Sequence, residues 1–233
     1  MEFLFGILAA FIAYLLGSIN FAIIFSKIFV NKDVRDYGSH NAGMTNTLRV
    51  AGALPGILTF LFDVLKGVAA AYIGFVIFNH CYTITNQNEL FLPIYGGYLT
   101  AILCMLGHCF PIFFQFKGGK AVATCLGVML VCNTPAAIIA IFVFLLLLLC
   151  SRMVSFSSII AVASMLVTVP NFQMSGILPF TLNANGPIGA NFVILIFNLI
   201  MVALVTIKHK DNIKRMLNGT ERKVFTKKEN KNG

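Results

Sequence analysis

From Ile138 to Leu149 the chain carries no polar residue, and six further segments are nearly as apolar. They run roughly over 3–25, 54–78, 93–115, 121–132, 154–170 and 189–207, with the Ile138 run inside a segment at 136–150. A soluble core cannot absorb so many apolar stretches, whereas a bilayer can. Apolar residues make up 58% of the chain and charged residues 11%, against about 25% charged in soluble domains. The expected fold is therefore an all-α integral membrane protein with about seven transmembrane helices. Residues 1–207 read as a single polytopic membrane domain, and 208–233 as a basic cytoplasmic or interfacial tail.

The first segment lacks a basic leader, since its first lysine is Lys27, and it is too long for a typical signal sequence. It reads as a retained span. Segment 121–132 is short for a hydrocarbon core ~30 Å thick at ~1.5 Å per residue. Joining it to 136–150 would nevertheless send Arg152 and the basic tail outward. A break at Asn133-Thr134-Pro135 avoids this, because Pro and Asn disfavour a continuous helix. Lys27, Lys32, Arg35, Arg49, Lys117, Lys120, Arg152 and the tail then share one side, while 79–92, 133–135 and 171–188 hold no Lys or Arg. The positive-inside rule makes that side cytoplasmic, with the N-terminus outside and the C-terminus in the cytoplasm.

The formal charge of +9 thus reports orientation and anionic ligands rather than nucleic acid. Six cysteines without CxxC pairing read as small buried side chains. No metal-ligand spacing appears, and no cofactor is expected.

Four polar stretches are candidates for chemistry. Gly38-Ser39-His40-Asn41-Ala42-Gly43-Met44-Thr45-Asn46, closed by Arg49, suits an anion: bare amides, hydroxyls and a guanidinium. The competing reading is a solvated loop. Lys117-Gly118-Gly119-Lys120 lets main chain and two ammonium groups approach a phosphate, against a topology-setting basic turn. Asp63 and Lys66 share one helical face inside the second span, either lining a polar cavity or forming a structural ion pair. Ser155 and Ser158 lie similarly, and serines also serve helix contacts. Lys208-His209-Lys210-Asp211-Asn212-Ile213-Lys214-Arg215, followed by Gly219-Thr220-Glu221, reads alone as a lipid-binding segment around a titratable His209.

In order and spacing, the stretches Ser39 to Arg49, Lys117 to Thr124 and His209 to Glu221 resemble the bacterial acyl-phosphate:glycerol-3-phosphate acyltransferase family. Gly17-Ser18-Ile19 and Asp63-Val64-Leu65-Lys66-Gly67 add to that resemblance. His40 and Ala121 stand where the family usually has glycine, Met44 where it has alanine, and Asn20 where it has proline. His40 brings bulk into the proposed anion loop.

The resemblance implies transfer of a fatty acyl group from acyl phosphate to the sn-1 hydroxyl of glycerol 3-phosphate. It gives 1-acylglycerol 3-phosphate (lysophosphatidic acid) and phosphate, the first step of phospholipid synthesis. Membrane lipid is an expected partner, as is contact with the enzyme that makes acyl phosphate. The expected location is the plasma membrane of a bacterium, with the site facing the cytoplasm. None of the four histidines begins an HxxxxD motif, in keeping with a donor other than a soluble thioester. The expected site assigns Lys117, Gly118, Gly119, Lys120, His209 and Asn212 to glycerol 3-phosphate. Ser39, Asn41, Thr45, Asn46 and Arg49 take the acyl phosphate, with Ser155, Asp63 and Lys66 as further binding residues. The proton acceptor is either His209 or a substrate phosphate oxygen. A transporter of a phosphorylated solute would use similar basic sites but would be expected to show inverted repeats, which the sequence lacks. A lipid-binding scaffold built on the basic tail is the third reading.

Overall fold

The computed structural model describes residues 2–174 and 188–224, and these are helices and turns without strands. Eleven α-helices follow in order among them: α1 (Glu2–Ser18), α2 (Phe21–Val30), α3 (Met44–Ala51), α4 (Ala53–Ile84), α5 (Pro93–Cys109), α6 (Val122–Cys132), α7 (Thr134–Ser151), α8 (Val154–Ala163), α9 (Met165–Met174), α10 (Ile188–Lys208) and α11 (Lys210–Leu217).

The first apolar segment is interrupted at Ile19-Asn20. There Asn20 caps α2 by accepting from the Ile23 amide at 3.2 Å. The break expected at 133–135 is present, with Asn133 accepting from the Ala136 amide at 3.1 Å and Pro135 in the first turn of α7. Residues 3–30, 53–84, 93–114 and 134–151 are long and apolar enough to cross a membrane. The pair α10–α11, bent by 61°, makes a fifth such unit, while α6 and 154–169 are shorter apolar stretches.

The helices pack backbone to backbone at glycines, as membrane helices do where small residues allow close approach. A Cβ on Gly17 of α1 would lie 2.0 Å from the Cys104 carbonyl oxygen of α5, and one on Gly127 of α6 would lie 2.0 Å from that of Val64 in α4. Large side chains such as Phe3, Phe142 and Leu149 point outward, as lipid-facing residues should.

This packing gathers the cation-bearing connections at one end. The Arg35 guanidinium donates to the carbonyls of Phe114 (2.8 Å) and Lys117 (3.3 Å). Lys208 donates to Cys109 (3.2 Å), and the Val224 amide to Arg152 (2.8 Å). The first, second and fourth polar stretches therefore meet.

Candidate active site

A cavity of about 550 Å³ opens at this end, bounded by the loop before α3, the start of α6, the start of α8 and the α10–α11 bend. Its lining includes Ser39, Asn41, Thr45, Asn46, Arg49, Lys120, Ser155, His209 and Asn212 from the sequence-based set. Asp63 also reaches it, whereas Lys66, Lys117, Gly118 and Gly119 do not form part of its lining.

The first loop is shaped from within. Buried Asn46 accepts from the Ser39 amide (2.8 Å) and donates to the carbonyls of Val34 (2.8 Å) and Tyr37 (3.0 Å). Its amide group is committed to the backbone, so Asn46 orders the turn that presents Ser39 and Asn41. Arg35 holds the turn's outer side through a two-pronged pairing with Asp33 at 3.0 and 2.8 Å. That hydrogen bonding holds the Asp33 carboxyl below its ordinary range. α3 begins without a side-chain cap, and Gly43, Met44 and Thr45 at its start line the cavity. Arg49 lines the same wall and has no ion pair among the described residues. Burial, then the charge of Arg222, lowers its pKa. His40 adopts the left-handed conformation, φ 59°, and its Nδ1 is 2.9 Å from the Arg35 carbonyl oxygen.

The paired glycines act by close approach. A Cβ on Gly118 would lie 2.0 Å from the His108 carbonyl oxygen. One on Gly119 would lie 2.2 Å from His108 Nε2 and 2.5 Å from the Ala42 carbonyl oxygen. The second loop is thus wedged between α5 and the first loop, which turns Lys120 into the cavity and leaves Lys117 exposed. Ala121, next in sequence, takes a left-handed conformation, φ 59°, and begins α6.

Behind this loop lies a buried ionic cluster. The Lys66 ammonium is 2.7 Å from Asp63 Oδ1, 2.9 Å from His108 Nδ1 and 2.8 Å from the Ile19 carbonyl oxygen. Asp63 and Lys66 therefore form the ion pair that was one of their two readings, and the cluster also spans the α1–α2 break. Its charges are compensated locally, as ionisable groups inside a membrane segment require.

The opposite wall is a hydrogen-bonded chain. Lys120 donates to Asn212 Oδ1. The Asn212 amide donates to Ser155 Oγ (2.5 Å) and Glu221 Oε1 (2.7 Å), and Ser155 donates to Glu221 Oε1 (2.6 Å). Arg215 Nε completes the chain at 2.8 Å from Glu221 Oε2. Burial raises the Glu221 pKa, but the hydrogen bonds from Ser155, Asn212 and Arg215 outweigh it and leave the carboxyl below its ordinary value. Burial lowers Lys120 to about 8. His209 donates Nδ1–H to the Val205 carbonyl (2.8 Å). Burial, then the Lys120 charge, lowers its pKa to about 4. It is therefore neutral at pH 7, with Nε2 free to accept a hydrogen bond.

The residues assigned from sequence did not include His108, Arg35, Arg215 or Glu221, although His108 precedes the second candidate stretch and Arg215 and Glu221 belong to the fourth. Glu221 had a readable signal: Gly219, φ 68°, turns the chain back toward α11. His108 had a weaker one, a polar residue closing an apolar span.

A family model for glycerol-3-phosphate acyltransferase matches residues 7–219. The glycerol-3-phosphate acyltransferase 2 of Bacillus anthracis is 37% identical over 219 residues, covering 94% of this chain and 99% of its own. The glycerol-3-phosphate acyltransferase of Clostridioides difficile (strain 630) is 38% identical, covering 98% and 100%. Among solved structures, PlsY (YgiH), an integral membrane glycerol 3-phosphate acyltransferase, superposes in its glycerol 3-phosphate form with a TM-score of 0.73, 33% identity and 94% coverage of each chain. Its lysophosphatidic acid form gives 0.71 at 31% identity, again with 94% of each chain covered.

Proposed function

Since the chain belongs to the glycerol-3-phosphate acyltransferase family, we propose that it moves a fatty acyl group from acyl phosphate to the sn-1 hydroxyl of glycerol 3-phosphate, releasing 1-acylglycerol 3-phosphate and inorganic phosphate. The observation that carries this reading is one cavity lined both by Arg49 with the first loop and by Lys120, His209 and Asn212. Two phosphorylated substrates need two cationic surfaces, and a shared cavity brings their reacting ends together.

Acyl phosphate is a mixed anhydride with a good leaving group, so no enzyme-bound acyl intermediate is required. In one displacement the sn-1 oxygen bonds to the acyl carbon, and the bond from that carbon to the phosphate oxygen breaks. Arg49, Ser39, Asn41 and Thr45 stabilise the charge that returns to the phosphate. Lys120 and Asn212 hold the phosphate of glycerol 3-phosphate, with Ser155 fixing Asn212 from behind. The proton of the attacking hydroxyl passes to a phosphate oxygen. A phosphate's second ionisation lies near pH ~6, whereas His209 has been driven to about 4; the phosphate is the stronger base. His209 Nε2 instead accepts a hydrogen bond from the neighbouring sn-2 hydroxyl, which orients the glycerol and leaves the sn-1 proton to the phosphate.

Asp63 and Lys66 set the floor of the site through His108. Seven spans with the N-terminus outside would put the cationic end in the cytoplasm of a bacterial cell. The tail from residue 208 then serves both catalysis and the membrane surface.

The test is direct. Purified protein supplied with acyl phosphate and glycerol 3-phosphate should yield lysophosphatidate and phosphate in equal amounts. Acylation from acyl-CoA with none from acyl phosphate would overturn the donor assignment.

A further inference from the structure

Six cations line the cavity, against three acids. Asp63 is tied to Lys66 (2.7 Å) and Glu221 to Arg215 (2.8 Å). Lys120 is held by Asn212, and Lys208 sits 4.5 Å from the centre of the Phe110 ring. Arg49 and Arg222 are the two cavity guanidiniums with no carboxylate pairing among the described residues. They come from opposite ends of the chain and are near enough that the charge of Arg222 disfavours protonation of Arg49, second only to burial.

Arg222 is presented by a firmly seated backbone. Glu221 before it is bonded to Ser155, Asn212 and Arg215, and the Val224 amide after it donates to the Arg152 carbonyl at 2.8 Å. The side chain itself is only lightly engaged, through one 3.3 Å hydrogen bond from Nη2 to the Gly38 carbonyl. Gly38 immediately precedes Ser39, so the guanidinium rests on the rim of the loop assigned to acyl phosphate. Both guanidiniums are solvent-exposed at one loop, and a dianion lying between them would be held by both.

We infer that Arg222 is a second phosphate-binding residue, sharing with Arg49 the phosphate of the acyl donor and of the inorganic product. The inference rests on the proposed reaction for its choice of donor and on the cavity alone for its choice of a phosphate dianion. It makes the donor site a joint product of the first loop and the segment after α11.

The test compares Arg222→Ala and Arg222→Lys with the unaltered protein in detergent. Arg222→Ala should raise the KM for acyl phosphate roughly tenfold, the effect of losing one charge-assisted hydrogen bond. The KM for glycerol 3-phosphate and kcat should stay within about twofold on the same reasoning. Arg222→Lys, which keeps charge but not the fork, should fall between. A merely structural role would instead move both KM values together or lower kcat alone, and either result overturns the inference, as does an unchanged KM for acyl phosphate.

Inorganic phosphate supplies an arm independent of turnover. It should raise the Tm of the unaltered protein, and much less that of Arg222→Ala. Equal protection of both, or none of either, overturns the inference. Should the unaltered protein fail to use acyl phosphate at all, the donor assignment falls, and the phosphate arm alone decides whether Arg222 binds the dianion.

Discussion

Gly119 and His108 meet backbone to backbone and backbone to ring: the Gly119 amide donates to the His108 carbonyl at 3.1 Å, and a Cβ on Gly119 would lie 2.2 Å from Nε2. His108 cannot give way easily, since it is buried and its other ring nitrogen is 2.9 Å from the Lys66 ammonium. Gly119→Ala must therefore push the loop carrying Lys120 rather than the ring. A displacement on the order of 1 Å at a catalytic surface can cost ~100-fold in rate. We expect a folded variant, eluting as the unaltered protein does, with turnover reduced on that scale. Normal turnover would show that the loop does not depend on this contact.

The two lysines of the same loop should separate sharply. Lys120 faces the cavity and is bonded to Asn212, whereas Lys117 is exposed and outside the lining. Lys120→Ala should raise the KM for glycerol 3-phosphate by roughly ten- to a hundredfold, the loss of one or two hydrogen bonds from a charged group. Lys117→Ala should change it by less than about threefold, in keeping with a screened surface charge. Equal effects would return Lys117 to the site.

Lys120 also makes a pH prediction. Burial lowers its pKa to about 8, so the ammonium is intact below that value and lost above it. The profile of kcat/KM for glycerol 3-phosphate reports the free enzyme and should fall on the alkaline side with a midpoint near 8. Lys120→Arg, which stays charged, should remove that limb even if its overall activity is lower. An unaltered midpoint in the arginine variant would assign the titration elsewhere.

Much of this was open to reading before any coordinates. The break at Asn133 followed from Pro135 and from where Arg152 had to lie, because charge placement constrains topology more tightly than helix propensity does. The grouping of Ser39, Arg49, Lys120 and Asn212 was legible because phosphate chemistry requires cations and small residues together. What stayed hidden depended on tertiary approach. Paired glycines suggest an intimate contact without naming the protein residue they press against, which is His108. The α1–α2 break was masked by the apolar runs on both sides of Ser18 and Asn20, since Asn20 can cap a helix inside a bundle as well as on a surface. Asn46 lines the cavity, and sequence cannot show that its amide is also engaged by Ser39, Val34 and Tyr37.

Glu221 gathers Ser155, Asn212 and Arg215, so its charge orders the wall on which glycerol 3-phosphate is proposed to rest. Its folded pKa lies below the ordinary glutamate value. The stabilisation it provides is therefore present above the unfolded pKa and is lost as pH falls through the folded one. Glu221→Gln places a donor against Arg215 or Asn212 and should raise the KM for glycerol 3-phosphate about tenfold. It should also lessen the acid sensitivity of Tm. A variant with unchanged KM would show that Asn212 holds its position without the carboxylate.

Ala121 and His40 share a backbone state, each with φ 59°, and they occupy the two positions where the resembled family usually carries glycine. The left-handed region brings Cβ against the following carbonyl and costs an L-residue about 1 kcal/mol or more. Ala121 offsets much of this by burial: its methyl, 1% exposed, packs in the main apolar cluster at the start of α6, where glycine is otherwise an acceptable cap. His40 regains part of the cost through Nδ1, 2.9 Å from the Arg35 carbonyl oxygen. Ala121→Gly should therefore exchange about 1 kcal/mol of relieved strain for a similar loss of buried methyl contact, leaving Tm within about 2 °C of the unaltered protein. His40→Gly, at an exposed position, should likewise move Tm little, because it trades the strain for a lost hydrogen bond. Activity should be retained in the first variant, since Lys120 keeps its partner Asn212. A Tm for Ala121→Gly raised by more than about 4 °C would mean that the strain outweighs the buried methyl, and one lowered by as much would mean that the departure from glycine stabilises this chain.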